Sequence, residues 1–439
     1  MQKKHECRIE QVVAREILDS RGKPTLEVEV WLSSGCWARA QVPSGASTGQ
    51  FEACELRDND LQRYDGQGVL QAVAHVQQLI GPMLRGQDAQ DQQAIDQQLL
   101  ELDGSPNKQR LGANALLGVS LAVARVAALS RSQPLYEYFN ELLLAQFAAD
   151  QETDSWRVDP RMPVPMTNMI SGGLHAGGNL DFQDVLVIPC GAANYPQGLE
   201  WIVRVYRRLG ERLQRAGYEG RLVGDEGGYG PKLPSNVAAV EFVLQAIEDA
   251  GLQPGAQMSI ALDVAASHFL QPDGQYQLRS ENNACLDSDQ MIDRLEQWVE
   301  RFPITSIEDA LAEDDWEGWS KLTRRLGDRV QLVGDDLFTT NASRVARGIE
   351  EQAANSVLVK VNQIGTVSET LETIKQARIA GFSLVVSARS GETEDDILAD
   401  LAVGVAADQI KIGSIVRSER LAKYNRLLRI SESLEKRDD

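Results

Sequence analysis

Three acids stand at the ends of short apolar runs: Asp263 closes Ala-Leu-Asp, Glu308 follows Ser-Ile, and Asp335 follows Val-Gly. Hard carboxylate oxygens select Mg²⁺, Mn²⁺ or Ca²⁺ over zinc. Each acid alone reads better as the N-cap of a following helix. Three acids at one phase of three strands read differently. Carboxylates gathered at one face cannot all stay charged without a cation. Asp309 and Asp336, next in sequence, read as helix caps or as supports for the ligands.

Two lysines share that phase, Lys360 in Val-Leu-Val-Lys-Val-Asn-Gln and Lys411 in Gln-Ile-Lys-Ile. A lysine in an apolar strand end is costly unless paired or functional. Beside a dication and a second lysine its pKa should fall toward neutrality, which makes a general base possible. The plainer reading of Lys360 is an ion pair with the acids. Glu226, in Gly-Asp-Glu-Gly-Gly, lies where backbone can approach a ligand, and reads as a general acid or as an acidic turn. Arg389-Ser390-Gly391 follows the run Ser383 to Val386, with a helix expected from about Glu392. A guanidinium, a hydroxyl and a helix N-terminus would cradle a phosphate. The alternative is a capping serine with a surface arginine. Gly45-Ala46-Ser47-Thr48-Gly49 matches the G-x-S-x-G elbow of serine hydrolases. That reading needs a strand-to-helix turn and a histidine partner, and none stands out among His5, His75, His175 and His268. The other reading is a glycine-hinged lid that brings Ser47 toward a metal.

These side chains need a scaffold that gathers strand ends. The chain has 439 residues, enough for two or three domains or one large barrel with a smaller companion. Its net charge of −20 argues against nucleic acid and anionic membrane as partners. An odd five cysteines without a C-x-x-C pair fit a reducing cytosol, so a cytoplasmic location is expected. The N-terminus lacks the apolar region of a secretory signal. No uninterrupted apolar stretch approaches membrane-spanning length, so no membrane span is expected.

Thr25 to Trp31 alternates as a half-buried strand, and Ser33-Ser34-Gly35 turns it into a second, Trp37 to Val42. Gly68 to Leu100 keeps helical spacing, and Leu111 to Ala128 reads as an apolar helix. This predicts a smaller α+β domain over residues 1–147, followed by a polar linker over 148–162. From 163 to 439, short apolar runs alternate with amphipathic helices: Val185 to Ile188, Ser259 to Val264, Ile304 to Ile307, Val330 to Val333, Val357 to Val361, Ser383 to Val386 and Gln409 to Ile412. A helix is expected from Ser368 to Ala380, stopped by Gly381. The fold class is therefore α/β. Parallel βα units of this number suit a (β/α)₈-like barrel, whose active sites sit where strand C-termini converge.

Ordered segments resemble the enolase (phosphopyruvate hydratase) family along nearly the whole chain. They include Asp19-Ser20-Arg21-Gly22, Ser44-Gly45-Ala46-Ser47-Thr48-Gly49, His175-Ala176-Gly177 and Gly224-Asp225-Glu226-Gly227-Gly228. Further on come Lys360-Val361-Asn362-Gln363-Ile364-Gly365-Thr366, Arg389-Ser390-Gly391-Glu392-Thr393-Glu394-Asp395 and Arg417 through Asn425. The resemblance implies a two-domain carbon–oxygen lyase, a homodimer or higher homo-oligomer, that dehydrates 2-phosphoglycerate to phosphoenolpyruvate in glycolysis. It implies two Mg²⁺ per site, one held by Asp263, Glu308 and Asp335 and the second joined by Ser47. Lys360 would be the base, and Glu226, with Asp184, the acid side. Lys411 and Gln183 would meet the substrate, with Arg389 and Ser390 at the phosphoryl group and His175 nearby. A lysine base beside Mg²⁺ that stabilises an ene-diolate is the known arrangement of the enolase superfamily.

The departures cluster. Ala388 stands where the family has His, Asp184 where it has Glu, and Ala310 where it has Pro. Ile412-Gly413-Ser414-Ile415 replaces Thr-Gly-Ala-Pro, Leu174 replaces a small residue and His268 replaces a common Glu. A charged donor lost from the leaving-group side would cost about 1.5–3 kcal/mol. Three readings follow. The first is a working dehydratase. The second is a specialised paralogue that acts on a bulkier or phosphonate analogue or resists an enolase inhibitor. The third is a non-catalytic enolase-like protein.

Overall fold

The computed structural model describes residues 7–45, 49–149 and 157–438. Ser47 and residues 150–156 of the polar stretch 148–162 lie outside the described residues.

Near the N-terminus, β1 (Ile9–Leu18), β2 (Pro24–Leu32) and β3 (Trp37–Gln41) form an antiparallel sheet in that order. The alternation from Leu26 to Val30 puts fully buried Leu26, Val28 and Val30 against the helix Ala113–Ser130. Gly118 lets that helix sit close, since a Cβ there would stand 2.7 Å from Val28 Cγ2. The helix is long and apolar enough to cross a bilayer, but 83% of it is buried in the protein, as expected of a core helix. The segment read as helical from Gly68 to Leu100 divides. Helical turns run from Leu70 to Leu84, and a second helix from Gln92 to Asp103. Gly86, at φ +84°, breaks the first, and the Asp91 carboxylate caps the second.

The larger part is a closed eight-stranded barrel. It is built from β4 (Val164–Ser171), β5 (Asp184–Ile188), β6 (Ser259–Asp263), β9 (Ile304–Glu308), β10 (Gln331–Gly334), β11 (Ser356–Val359), β12 (Ser383–Ser387) and β13 (Gln409–Gly413). Between β6 and β9, β7 (Tyr276–Leu278) and β8 (Ala284–Leu286) form a separate hairpin. The α/β class and the barrel agree with the sequence reading, with one correction. β5 runs antiparallel to both β4 and β6. Residues 172–183 between β4 and β5 hold only the single turn Gly173–Ala176. A parallel crossover usually needs a helix to span the sheet, and this connection holds none beyond that single turn, so the strand returns reversed. Two helices, Tyr195–Arg215 and Asn236–Asp249, then follow before β6. β1 and β4 had no counterpart in the sequence reading. Pro165 inside β4 disguises it, and β1 lacks clean alternation.

The barrel interior explains why the site residues share a phase. Met166, Leu186, Ile188, Ala261, Val333, Leu358 and Val385 form their own buried cluster, separate from the core under the helices. Side chains two positions along a strand point the same way. Two residues beyond Met166, Ala261, Val333, Leu358 and Val385 lie Asn168, Asp263, Asp335, Lys360 and Ser387. Two residues before Leu186, on the reversed strand, lies Asp184. Glu308 and Lys411 complete the ring in register with Asp263 and Ser387.

Candidate active site

Lys411 Nζ lies between two of the acids, 2.7 Å from Asp263 Oδ2 and 2.7 Å from Glu308 Oε2. Lys360 Nζ is paired with Asp335, whose other oxygen accepts from Gln363 Nε2 at 2.8 Å. Gln183 Nε2 donates to Asp263 at 3.2 Å, while Gln183 Oε1 is buried without a partner. All five charged groups are buried. Asp263, Glu308 and Asp335 thus converge on the two lysines rather than on one another.

Burial pushes the Glu308 carboxyl well above its usual range, and Asp263 and Asp335 add to the rise against the opposing lysines. Asp263 and Asp335 are held low. Burial opposes this, but Lys411 at the first and Lys360 at the second outweigh it. Three buried carboxylates facing only two lysines leave the site short of positive charge, and the orphaned Gln183 oxygen is one more donor atom for a cation. The donor set, all oxygen, therefore fits a divalent cation. Beside it, ligand atoms of Asp309, Asp335 and Asp336 lie within 4.8 Å of one another. Burial and Asp335 raise Asp336 to about 8. Asp309 accepts the backbone N–H groups of Asp335 and Asp336, each at 2.9 Å, so it holds the turn that presents Asp335. Neither Asp309 nor Asp336 caps a helix.

The expected depression of Lys360 is not found. Burial lowers its pKa, but the surrounding acids, Asp335 foremost and then Glu308, leave the net shift upward. Lys411 is raised well above its usual value in the same way by Asp263 and Glu308.

Across the cavity stand the remaining candidates. His175 Nδ1 lies 2.9 Å from Asp184 Oδ2, and its Nε2 lies 3.9 Å from Glu226 Oε1. Burial would neutralise this histidine, but the charges of Asp184 and Glu226 raise it to about 9. Burial raises Asp184 to about 6 against the pull of His175. Glu226 is lowered to about 2, burial being outweighed by His175, Arg420 and the two lysines. The two carboxylates thus favour a protonated imidazole at His175. His175, Gln183, Glu226, Asp263, Lys360 and Lys411 share one narrow cavity with the segment Ser387 to Ser390.

Arg389 enters that cavity but is also tied to the N-terminal part. Its Nη1 donates to Glu52 at 3.0 Å and to Asn362 at 2.9 Å. Ser390 Oγ accepts from Arg21 at 3.2 Å. The helix expected from Glu392 begins only at Ile397, so no helix N-terminus faces Ser390. Glu392 instead accepts from the Arg389 backbone and pairs with Lys423 at 2.7 Å. The hydrolase reading of Ser47 loses its elbow as well. The described residues from Gly49 to Val69 hold only the single turn Tyr64–Gly66, so no helix follows the loop directly.

Several supporting residues went unassigned from sequence. Arg420 donates to the carbonyls of Arg389, Ile412 and Ser390. Arg21 bridges Ser390 and Ser44, and Gly391 exchanges both backbone hydrogen bonds with Ser44. These contacts fix the start of the loop that carries Ser47. Arg21 and Arg420 sit in the quoted motifs, but only the fold shows that both grip one segment.

A family model described as Enolase, N-terminal domain matches residues 9–139, and one described as Enolase, C-terminal TIM barrel domain matches residues 159–438. Together with the buried ring of acids and lysines, these matches set the class: a metal-dependent lyase of the enolase superfamily. Within that class, the chain belongs to the enolase family.

Proposed function

We propose that the chain dehydrates 2-phosphoglycerate to phosphoenolpyruvate with Mg²⁺. One observation carries this reading: a single buried cavity has a lysine half, with Lys360 and Lys411 on Asp263, Glu308 and Asp335, and an acid half, with Glu226, His175 and Asp184. Asp263, Glu308 and Asp335 would hold Mg²⁺, which when bound would supply the positive charge that the substrate carboxylate needs as it gains electron density. Lys360 Nζ, in its neutral form, takes the C2 proton. Lys411 holds the substrate carboxylate, and Arg389 and Ser390 meet the phosphoryl group. The C3 hydroxide leaves as water with a proton from Glu226. An anionic substrate raises the Glu226 pKa, and the His175 imidazolium beside it holds a proton in reach. Ser47 would join the second ion. A homodimer in the cytoplasm is part of the same proposal.

Purified protein with 2-phosphoglycerate and Mg²⁺, followed by the absorbance of the enol product, tests this reading. A second reading rests on Ala388, which lines the cavity between Ser387 and Arg389 and brings no polar side chain to it. It is a specialised enzyme for a bulkier or phosphonate analogue. Under that reading Ala388→His raises turnover of 2-phosphoglycerate at least tenfold. Under the first, the unaltered protein already works at an ordinary rate.

A further inference from the structure

Asn168 stands in the inner ring on β4, fully buried, and has no part in the scheme above. Its Nδ2 donates to Asp184 Oδ1 and, at 3.0 Å, to Ser171 Oγ. Asp184 then presents its other oxygen to His175 Nδ1 at 2.9 Å. The amide orientation follows from the partners, since the reverse would set the amide oxygen against a carboxylate oxygen. The same pair of residues also supports the turn that carries Glu226. Cβ atoms at Gly228 and Gly224 would stand 2.7 Å from Asn168 Oδ1 and 3.1 Å from Ser171 Cβ, so these glycines admit the closest approach. Ser171 N donates to Tyr229 O at 2.8 Å, and Gly224 N to Gly228 O at 2.8 Å, which closes the turn onto β4.

The Asp184–His175 arm of the acid half thus rests on that amide, and the Glu226 turn packs closely beside it. Asp184 makes that support necessary. A one-carbon side chain places its carboxylate close to β5, and only a donor on the neighbouring strand can choose which oxygen turns to His175. We propose that Asn168 is a positioning residue for departure of the leaving group: it orients Asp184, and through it His175 toward Glu226, without touching substrate. Among the described residues the Asn168 side chain hydrogen-bonds Ser171 and Asp184 and not Lys360, Lys411 or their acids, so proton removal at C2 should not depend on it.

The kinetic test rests on the 2-phosphoglycerate reading. Asn168→Leu keeps the volume and removes the donor. In D₂O, exchange of the C2 proton reports the lysine half, and enol absorbance reports the whole reaction. We expect dehydration to fall ten- to a hundredfold, with KM and C2 exchange within threefold of the unaltered protein. Ser171→Ala, which removes only the second anchor of Asn168, should show the same split at three- to tenfold. Dehydration within twofold in both variants overturns the proposal, and so does an equal fall in both rates. Should Asn168→Leu fail to fold, the Ser171→Ala split decides. If the unaltered protein does not turn over 2-phosphoglycerate, the functional reading fails and a separate measurement decides the role of Asn168. The His175 Nδ1 proton resonance, held downfield by Asp184, should move upfield in Asn168→Leu while that of His75 stays. An unmoved His175 resonance overturns the proposal.

Discussion

Lys360 and Glu226 face each other across one cavity with opposite tasks, and single substitutions should separate them. Lys360→Met should slow C2 proton exchange by about 10²–10⁴-fold, the usual worth of a positioned base. Glu226→Gln should spare that exchange and slow dehydration by a similar factor. His175 makes a pH prediction. Its folded pKa, about 9, lies above the ordinary 6.5. The stability it confers is therefore full below about pH 6.5 and is lost as pH rises through about 9. In EDTA, Tm should decline over that window, and His175→Asn should flatten the decline. At this scale the sequence was informative where strand phase placed an acid or lysine. It was mute about Asn168, Gln363, Arg21 and Arg420, whose roles depend on partners far along the chain. It also misjudged the direction of the Lys360 pKa shift, although its plainer reading, an ion pair with the acids, is what the fold shows with Asp335.

Elements place these groups through period-two alternation in the strands and tight helix packing outside them. Gly348 lies in the helix Ala342–Glu351, where a Cβ would stand 2.4 Å from the Phe338 ring. Gly348→Ala should overpack that contact and cost about 1–3 kcal/mol, read by urea unfolding, with KM unchanged. Most barrel strands were legible as apolar runs because both faces are buried. The direction of β5 was not, since a run such as Val185 to Ile188 reads alike in either sense. Only the lack of a crossover helix in the 172–183 connection betrays the reversal. The start of the helix after Arg389 was misplaced for a related reason. Glu392 looks like a first-turn acid, yet its carboxylate serves the Arg389 backbone and Lys423.

In the whole molecule, the N-terminal sheet and its helices hold the barrel mouth. Arg389 and Glu52 form a buried ion pair at that junction, and Arg125 pairs with Asp395. Glu52→Ala leaves the Arg389 charge buried with one partner fewer, so stability should fall by about 3–5 kcal/mol in denaturant unfolding. The composition and the motif order made the family legible from sequence. The docking of the two parts was not, because Glu52 and Arg389 are separated by most of the chain. The central claim is that one barrel mouth removes a proton with Lys360 and expels hydroxide with Glu226, with Mg²⁺ bound. It is tested most directly by following 2-phosphoglycerate in D₂O by NMR, with Mg²⁺ and with EDTA. Deuterium at C2 and phosphoenolpyruvate should both appear with Mg²⁺, and neither with EDTA or in Lys360→Met. Turnover that persists in EDTA or without Lys360, or an inert substrate under Mg²⁺, would contradict the account.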